Sequence, residues 1–492
     1  MKTLISCFLF LSFVFASAQE KIDFNKYFTN QTLRFDYYHT GDAKTEIYSA
    51  DKIYKQGVWA GNPHKCIQPF ELGLYKVRVY DVASNKEIYS KGYATIFGEY
   101  QTTQPAIDGI SKTYHETVLV PFPKSKVKLV IEKRAKNNST SPVYSIVIDP
   151  ADYHIITENV KRAGDEVIAV TKQNDPHKSV DLVILSEGYS ASEKEKFRKD
   201  LDYFSNLLLN FEPYKSYRQV ININGVFAPS EDSGLDEPRQ GLYRNTRFSS
   251  SFNTFDIDRY CLADDNKSIR DAAALAPYDA ILIMVNKDRY GGGGIYNWQT
   301  IFAIGSDKKD YVFLHEFGHG FAGLADEYYA SSVAYVDIFV PGVEPLEPNI
   351  TALIDPSNVK WKQYLSPGIQ VPTEWGKAKF DSMNVALNKL YEKRSTVIDD
   401  MKKKGASAKQ VQDTEKEYST QIYNLGKQID DFLFNHPLKD KVGVFEGANY
   451  LSKGYYRSSI NSMMQKFSPE QHSYGIVNDQ AVIATIRYYT EE

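Results

Sequence analysis

The sequence predicts a multidomain protein in which an N-terminal all-β sandwich precedes an α/β domain that carries an inserted antiparallel helical hairpin. Three patterns predict this fold class: alternating apolar and polar residues over residues 20–160, strands alternating with helices from residue 179, and heptad spacing within residues 376–440. The chain has 492 residues, 42% of them hydrophobic, which is enough for two domains with substantial cores. Its 14% aromatic content excludes a disordered chain.

The first residues have the pattern of a secretory signal peptide. Met1 to Thr3 form a short positive n-region, Leu4 to Phe15 form an apolar run, and Ala16 to Ala18 supply small residues for cleavage. We predict removal of residues 1–19 rather than an uncleaved anchor. Because no later apolar run is long enough to span a bilayer, we expect a secreted protein, periplasmic or extracellular, without an integral membrane span.

The charge and the cysteines narrow the classes of partner and metal site. A formal net charge of −4 favours neither nucleic acid nor an anionic membrane as the main partner. Beyond the signal peptide only Cys66 and Cys261 remain, too few for a disulfide framework or a cysteine-rich zinc site. Any metal ion must therefore be bound by histidines and carboxylates.

Residues 20–160 contain alternating segments that are separated by turn-rich pieces, and no helical period persists. The clearest are Thr32–Tyr38, Leu74–Val82, Glu116–Phe122 and Val127–Glu132. This pattern is typical of an antiparallel β-sandwich. The domain could bind a glycan or a protein, or it could be a spacer packed against the next domain. We favour the spacer, because a fold alone does not carry a function.

From residue 179 the pattern changes to continuous apolar strands that alternate with helices. Residues 161–178 are polar and are predicted to be a linker, so that the second domain covers residues 179–492. Its first elements are a strand from Ser179, a helix over Ala191–Leu209, and strands over Gln219–Ala228 and Ala280–Val285. This alternation indicates an α/β unit.

Residues 376–440 are predicted to form two helices folded back on each other as an antiparallel hairpin. Apart from Arg394, apolar residues hold heptad spacing in both halves: Met383, Leu387, Leu390, Val397 and Met401, then Val411, Tyr418, Ile422, Leu425, Ile429 and Phe432. We interpret this stripe as the seam of the hairpin itself, with docking of a partner as an additional role. Globular patterning resumes at Val442, so the hairpin is predicted to be an insertion within the second domain.

The segment from His315 to Tyr328 contains the residues best suited to chemistry. It follows an apolar run and is predicted to be a buried helix that ends near Gly323. His315 and His319 are four residues apart and share a helix face, so both can bind one ion while Glu316 accepts a proton from water. Three such groups in an apolar run are costly without a metal ion, and the pattern is typical of zinc peptidases.

Two imidazoles leave a catalytic zinc site one protein ligand short. In zinc peptidases with short ligand spacing the helix stops at a Gly, and the third ligand follows three residues later. Gly323 and Asp326 have this interval, although Gly323 follows His319 by four residues where the usual pattern has three. We prefer Asp326 as the third ligand of Zn2+. Glu327 and a more distant residue remain alternatives.

Two further segments are candidates for parts of the same site. The run Gly291–Gly294 precedes a predicted strand over Ile295–Ile304, and it is either the rim of a cleft where a peptide could add by main-chain bonding or a flexible loop. Further along, Ser462-x-Met464 is like the tight turn beneath the metal in metzincin peptidases, whereas the other interpretation makes Met463 and Met464 core residues. We expect Tyr456 and Arg457 to approach a substrate oxyanion or carboxylate.

These motifs together resemble the IgA-peptidase family of bacterial secreted zinc metalloendopeptidases. The resemblance rests on four runs and covers about residues 20–492: His315–Tyr328, Asp181–Ser190, Val444–Tyr450 and Tyr456–Met464. It implies a β-sandwich ahead of a metzincin-like zinc peptidase domain, with His315 and His319 as ligands, Glu316 as base and Met464 in the turn. It does not imply immunoglobulin A as the substrate.

The sequence therefore predicts a secreted zinc-dependent endopeptidase that hydrolyses peptide bonds of extracellular proteins or glycoproteins. In this mechanism Glu316 is the general base, and the metal ligands are His315, His319 and Asp326. One alternative is a non-catalytic surface adhesin, that is, a glycan- or protein-binding module in which the sandwich does the binding. A further alternative is a zinc amidase that acts on cell-wall peptides.

Overall fold

The computed structural model describes residues 21–157, 161–330, 340, 342–466, 468 and 471–491. The predicted signal peptide, residues 1–19, lies outside the described residues. The protein is a mixed α/β structure with several sheets, and a β-rich N-terminal region comes first. Within the described part of the chain, every helix is too short or too polar to cross a membrane.

The N-terminal region consists of two antiparallel sheets that face each other. Its strands are β1 (Phe28–Gly41), β2 (Glu46–Val58), β3 (Tyr75–Asp81), β4 (Glu87–Tyr93), β5 (Lys112–Pro123), β6 (Val127–Arg134) and β7 (Thr140–Ile148). The sheet orders are β2-β1-β5 and β4-β3-β6-β7. Side chains such as Leu33 and Leu129, from opposite sheets, lie in one hydrophobic cluster. The predicted β-rich region is thus confirmed.

The prediction that this region is entirely β was wrong in one respect, because it also contains three short helices. They are α1 (Phe24–Tyr27), α2 (Ile96–Tyr100) and α3 (Gln104–Ile107). Local capping explains two of them: Asp23 accepts a hydrogen bond from the Lys26 backbone, and Thr95 accepts one from the Gly98 backbone. Helices of four or five residues are too short to produce a helical period in the sequence.

The second region is built on a six-stranded sheet. Its strands are β8 (Glu166–Ala169), β9 (Val180–Glu187), β10 (Ile221–Phe227), β13 (Ala280–Val285), β14 (Gly292–Ile295) and β15 (Gln299–Ala303), and their order is β14-β15-β13-β9-β10-β8. The four central strands are parallel, and the two edge strands run antiparallel to their neighbours. Every residue of β9 is buried, as expected for a parallel strand that is covered on both faces.

Helices and small sheets complete this region. The helices are α4 (Lys194–Asn210), α5 (Asn266–Ala273), α6 (Lys309–Ala322), α7 (Lys377–Lys403), α8 (Ala408–Phe434) and α9 (Ile476–Thr490). The small sheets contain β11 (Ser250–Ser251) with β12 (Leu262–Ala263), and β16 (Ile350–Thr351) with β17 (Phe445–Ala448) and β18 (Leu451–Arg457). Helices α4, α6 and α9 contribute to one hydrophobic cluster on a face of the six-stranded sheet.

The segment predicted as a linker is part of the six-stranded sheet. Residues Glu166–Ala169 form β8, which pairs with β10, and residues Pro176–Lys178 form a short 3-10 helix. The strand is short and lies at the edge, with Val167 exposed and Ile168 partly buried. Four residues with one face in solvent give too weak a pattern to distinguish a strand from a polar connection.

The other face of the six-stranded sheet packs into the same hydrophobic cluster as the sandwich. That cluster contains Leu33 and Val77 from the sandwich, Ala272 from α5, and Val183 and Ile283 from the sheet. Burial of apolar surface between the two regions is therefore continuous. The sandwich is fixed against the second region.

Helices α7 and α8 lie beside each other and are joined by residues 404–407. The side chain of Ser407 caps α8 by accepting from the Gln410 backbone, and the Gln410 side chain accepts from the Ser407 backbone in return. At the base of the pair, Phe380, Ile429 and Leu433 enter a buried cluster with Trp375. The residues with heptad spacing elsewhere are half-buried, as expected for a two-helix seam.

Helix α6 packs closely against the edge strand β14. The helix ends at Gly323, whose φ of 62° lies in the left-handed region and closes the C-terminus. A Cβ atom on Gly294 would lie 2.2 Å from the carbonyl oxygen of Glu316 and 2.8 Å from the Cβ of His319. The glycine run is therefore an edge strand, and its lack of side chains allows the helix to approach.

A buried ion pair joins the sandwich to α5. Arg34 on β1 donates two hydrogen bonds to Asp36, at 2.8 and 2.6 Å, and one to Asp271 on α5, at 2.7 Å. The three side chains are at most 2% exposed. Removing one partner from such a site leaves buried charge without compensation.

We expect Arg34→Leu to lower the free energy of unfolding by about 3–5 kcal/mol, because Asp36 and Asp271 then remain buried without the guanidinium. Urea unfolding followed by circular dichroism measures the loss. Arg78→Leu in β3 is the matched control, since Arg78 pairs with Glu87 and Glu132 at a site where the side chains are 13–27% exposed. Its loss should be at most about 1 kcal/mol. Equal losses in the two variants would contradict this account.

We expect Gly294→Ala to destabilise the protein by about 1–3 kcal/mol, because the new methyl group overlaps the backbone of α6. Gly426→Ala in α8 is the control: no atom lies within 4 Å of the added Cβ, and the helix should gain about 0.5–1 kcal/mol. Differential scanning calorimetry gives the thermal unfolding midpoint of each variant. A Gly294→Ala protein that unfolds at the wild-type temperature would show that the strand and helix are not in close contact.

Candidate metal centre

Helix α6 places the imidazoles of His315 and His319 side by side. Their Nε2 atoms are 3.1 Å apart. The Nδ1 atom of His315 lies 3.1 Å from the carbonyl oxygen of Met463, and that of His319 lies 2.5 Å from the carbonyl oxygen of Leu324. A carbonyl oxygen only accepts, so each Nδ1 carries a hydrogen, and in the neutral ring each Nε2 presents a lone pair.

Asp326 brings an oxygen atom to the same point. Its Oδ1 lies 3.0 Å from Nε2 of His315 and 3.3 Å from Nε2 of His319. Three acceptor atoms that converge in a buried place repel one another unless a cation or a proton lies between them. Although burial lowers the pKa of His319, the charge of Asp326 raises it to about 9. The donor set fits a divalent metal ion, and His315, His319 and Asp326 are the residues that could hold it.

Glu327, the alternative third ligand, points away from this group and is fully buried. One carboxylate oxygen accepts from Ser462 Oγ at 2.6 Å, and the other accepts from Asn349 and Asn478 at 3.0 Å each. Burial raises the pKa of Glu327, while these donors oppose the rise. Its contacts make Glu327 a structural anchor that joins three segments.

Residues Ser462–Gln465 form a tight turn beneath α6. The Gln465 backbone donates to the carbonyl oxygen of Ser462 at 3.1 Å, and the Glu327 backbone donates to that of Met464 at 2.9 Å. Met464 is fully buried, and its sulfur would lie 3.0 Å from a Cβ added to Gly318. The turn therefore supports the helix that carries the histidines and supplies the carbonyl group that orients His315.

Glu316 lies beside the three converging groups. Burial raises the pKa of its carboxyl group, and the nearby His315 and His319 oppose this rise. Glu316 lines a cleft of about 1590 Å³ together with His315, His319 and Asp326. A carboxylate in such a cleft can accept a proton from a bound water molecule.

Three parts of the chain form the walls of this cleft. The sandwich contributes Gly98, Gln101, Lys133 and Arg134; the second region contributes Arg259, Tyr290, Gly294 and Tyr328; and the helical pair contributes Phe380, Asn384 and Leu433. The sandwich is thus part of the cleft as well as a packing partner of the sheet. Sequence reasoning did not predict this, because the contact joins residues that are distant along the chain.

The prediction for Arg457 was wrong. This side chain is fully buried, donates to the Gly447 carbonyl oxygen, and lies 4.6 Å from the centre of the Trp375 ring. Burial lowers the pKa of Arg457 to about 10. Tyr456, on β18, packs against a separate hydrophobic cluster. Neither side chain lines the cleft; both lie on β18, which pairs with β16 and β17 in a small sheet.

Tyr450 is a residue of the site that the sequence analysis did not single out. Its hydroxyl group donates to Oδ2 of Asp326, the oxygen that does not face the histidines, and lies 3.3 Å from the hydroxyl group of Tyr328. Tyr450 and Asn449 both have positive φ, 63° and 49°. They form the two-residue turn between β17 and β18, and positive φ at both positions is the geometry of tight hairpin turns. The only sequence signal was their position in the run Val444–Tyr450.

Comparisons with known protein families agree with this geometry. The family model described as IgA Peptidase M64 matches residues 168–486, and the model described as Peptidase M64 N-terminus matches residues 23–145. No curated protein matches the chain. The first match covers more than half of the chain and includes the α6 helix, Asp326, Tyr450 and the turn at Met464. The chain therefore belongs to the IgA peptidase M64 family, whose members are metallopeptidases, and the resemblance seen in the motifs is confirmed.

Proposed function

We propose that the protein is a secreted zinc-dependent endopeptidase that hydrolyses peptide bonds of extracellular proteins or glycoproteins. The observation that carries the proposal is the convergence of two imidazole nitrogens and one carboxylate oxygen beside Glu316, in a cleft large enough for a peptide. The family membership supports peptide-bond hydrolysis. The signal-peptide pattern of residues 1–19 supports export.

We assign zinc as the metal because two imidazoles and one carboxylate form a donor set that zinc peptidases use. His315, His319 and Asp326 would hold the ion. When bound, zinc would act as a Lewis acid toward a substrate carbonyl and would make water more acidic. The bonds from both Nδ1 atoms to backbone carbonyls fix the ring orientations beforehand.

Glu316 is assigned as the general base. Its carboxylate would accept a proton from the attacking water and deliver it to the nitrogen of the leaving amine. Asp326 is kept in place by the hydroxyl group of Tyr450, and Glu327 keeps the turn at Met464 beneath the helix. We interpret that turn as the counterpart of the metzincin turn, as the sequence indicated.

The substrate main chain is proposed to pair with β14 at Gly294. On the outer edge of this strand the Gly292 backbone is already bonded to Arg259 and Cys261, and the Tyr296 carbonyl oxygen accepts from Ala94 of the sandwich. Successive residues of an antiparallel strand point their N–H and C=O groups to opposite edges, so the groups of Gly294 point to the same outer edge as those of Gly292. Gly294 also lines the cleft. The free edge is therefore short, and we expect only one residue of substrate to bond to it.

We expect Glu316→Gln to bind one zinc ion per chain and to cleave protein substrates roughly 10²–10⁴-fold more slowly than wild type, because it cannot accept the proton. Zinc content is measured by atomic absorption, and cleavage by mass spectrometry of a proteome-derived peptide library with and without chelator. Glu195→Gln, at a side chain that is 80% exposed, is the control and should behave as wild type. Wild-type cleavage by Glu316→Gln would rule out the assigned base.

We expect Asp326→Ala to lose zinc on dialysis, whereas Glu327→Gln should retain it, since only Asp326 faces the histidines. The Glu327 variant should instead lose stability, because hydrogen bonds to a charged group contribute about 1.5–3 kcal/mol. Zinc titration with a chromogenic chelator and thermal unfolding separate the two effects. The assignment of the third ligand is overturned if Glu327→Gln loses the metal and Asp326→Ala keeps it.

A further inference from the structure

Arg259 occupies a fixed position at the rim of the cleft. Its carbonyl oxygen accepts from the Gly292 backbone at 3.3 Å, and the Cys261 backbone donates to the Gly292 carbonyl oxygen at 3.2 Å. In the segment just before it, Asn253, Phe255 and Asp256 have φ between 52° and 63°, in the left-handed region. The backbone of Arg259 is thus attached to the same strand that α6 contacts.

The guanidinium group of Arg259 lies among the residues of the candidate active site. The residue is half-buried and lines the cleft with Glu316 and Tyr290, and its charge lies close to the hydroxyl group of Tyr328. Burial raises the pKa of the Glu316 carboxyl group, and Arg259 is close enough for its positive charge to oppose that rise. Arg259 belongs to a loop that the motifs of the sequence did not include.

Among the described residues, no carboxylate lies within 4.0 Å of the Arg259 guanidinium. Two other arginines nearby do have such partners: Arg239 pairs with Asp256 at 2.6 Å, and Arg289 pairs with Asp258 at 2.8 Å. A guanidinium has five N–H donors, and those of Arg259 that reach the cleft are open to a ligand. Arginine also binds carboxylates through two parallel hydrogen bonds, which gives it selectivity for that group.

We propose that Arg259 binds a carboxylate group of the substrate close to the bond that is cut. This group is an acidic side chain of the substrate or, where the cut falls near the end of a peptide, its C-terminal carboxylate, and both present the same planar pair of oxygens. The proposal rests on the proposed peptidase function and adds a specificity to it. Arg259 is then a residue that selects substrates, and Glu316 remains the base.

Four matched peptides test the proposal and distinguish the two sources of the carboxylate. Around a cut site defined by library digestion, each peptide has Glu or Gln next to the scissile bond, and each is made with a free or an amidated C-terminus. For wild type we expect kcat/KM to be roughly 10- to 100-fold higher for the peptide that carries the recognised carboxylate. Arg259→Gln should lose this preference mainly through a higher KM, and Arg259→Lys should recover part of it.

Lys308→Gln is the control, because Lys308 is an exposed cation that lines the same cleft. A single exposed charge should change the preference by no more than about twofold. The proposal is overturned if wild type shows no preference, if Lys308→Gln removes it as completely as Arg259→Gln, or if Arg259→Gln slows the cleavage of all four peptides equally. The last result would indicate a role in the reaction or in folding.

A binding experiment keeps this inference separate from the peptidase assignment. Blocked alanine-based pentapeptides with one Glu or one Gln, some with a free C-terminus, are titrated into zinc-loaded Glu316→Gln protein by calorimetry. Tighter binding of a carboxylate peptide that disappears in the Glu316→Gln/Arg259→Gln protein supports the role of Arg259 even if no cleavage is ever seen. Equal binding of all peptides, together with normal cleavage by wild type, rejects the role of Arg259 and leaves the peptidase assignment intact.

Discussion

The structure depends on the repulsion among three electron-rich atoms at the end of α6, where two imidazole nitrogens and a carboxylate oxygen are held within hydrogen-bonding distance of one another. Such an arrangement persists only if the surrounding chain fixes each group and if a positive charge can lie between them. The left-handed Gly323 sends the chain back so that Asp326 meets the histidines. The carbonyl oxygens of Met463 and Leu324 then set the orientation of the rings.

A polar network around Glu327 holds these supports together. It links the segment after α6 to Asn349, to the turn at Ser462 and to Asn478 on α9. Each donor satisfies an oxygen that burial would otherwise leave unpaired, so the network is complete around the carboxylate. The neighbouring carboxylates therefore have different roles: Asp326 faces the histidines, and Glu327 holds the surrounding segments together.

The parts of the site that could be predicted from sequence are those determined by local spacing. A helical period places His315, Glu316 and His319 together, and a Gly followed after three residues by Asp326 indicates a chain reversal. Arg259, Tyr450 and the sandwich wall reach the cleft through contacts between distant parts of the chain, for which one sequence contains no periodic signal. Arg457 was misjudged for the same reason, since its burial depends on Trp375 and on strand pairing in a small sheet.

The hydrophobic cluster shared by the sandwich and the six-stranded sheet has a consequence for the modularity of the chain. Because Leu33 and Val77 on one side and Val183 and Ile283 on the other are buried in a single cluster, separating the two regions would expose apolar surface on both. A shortened chain that begins after the sandwich would be prone to aggregation. The two regions are therefore packed as one body, and each covers apolar surface of the other.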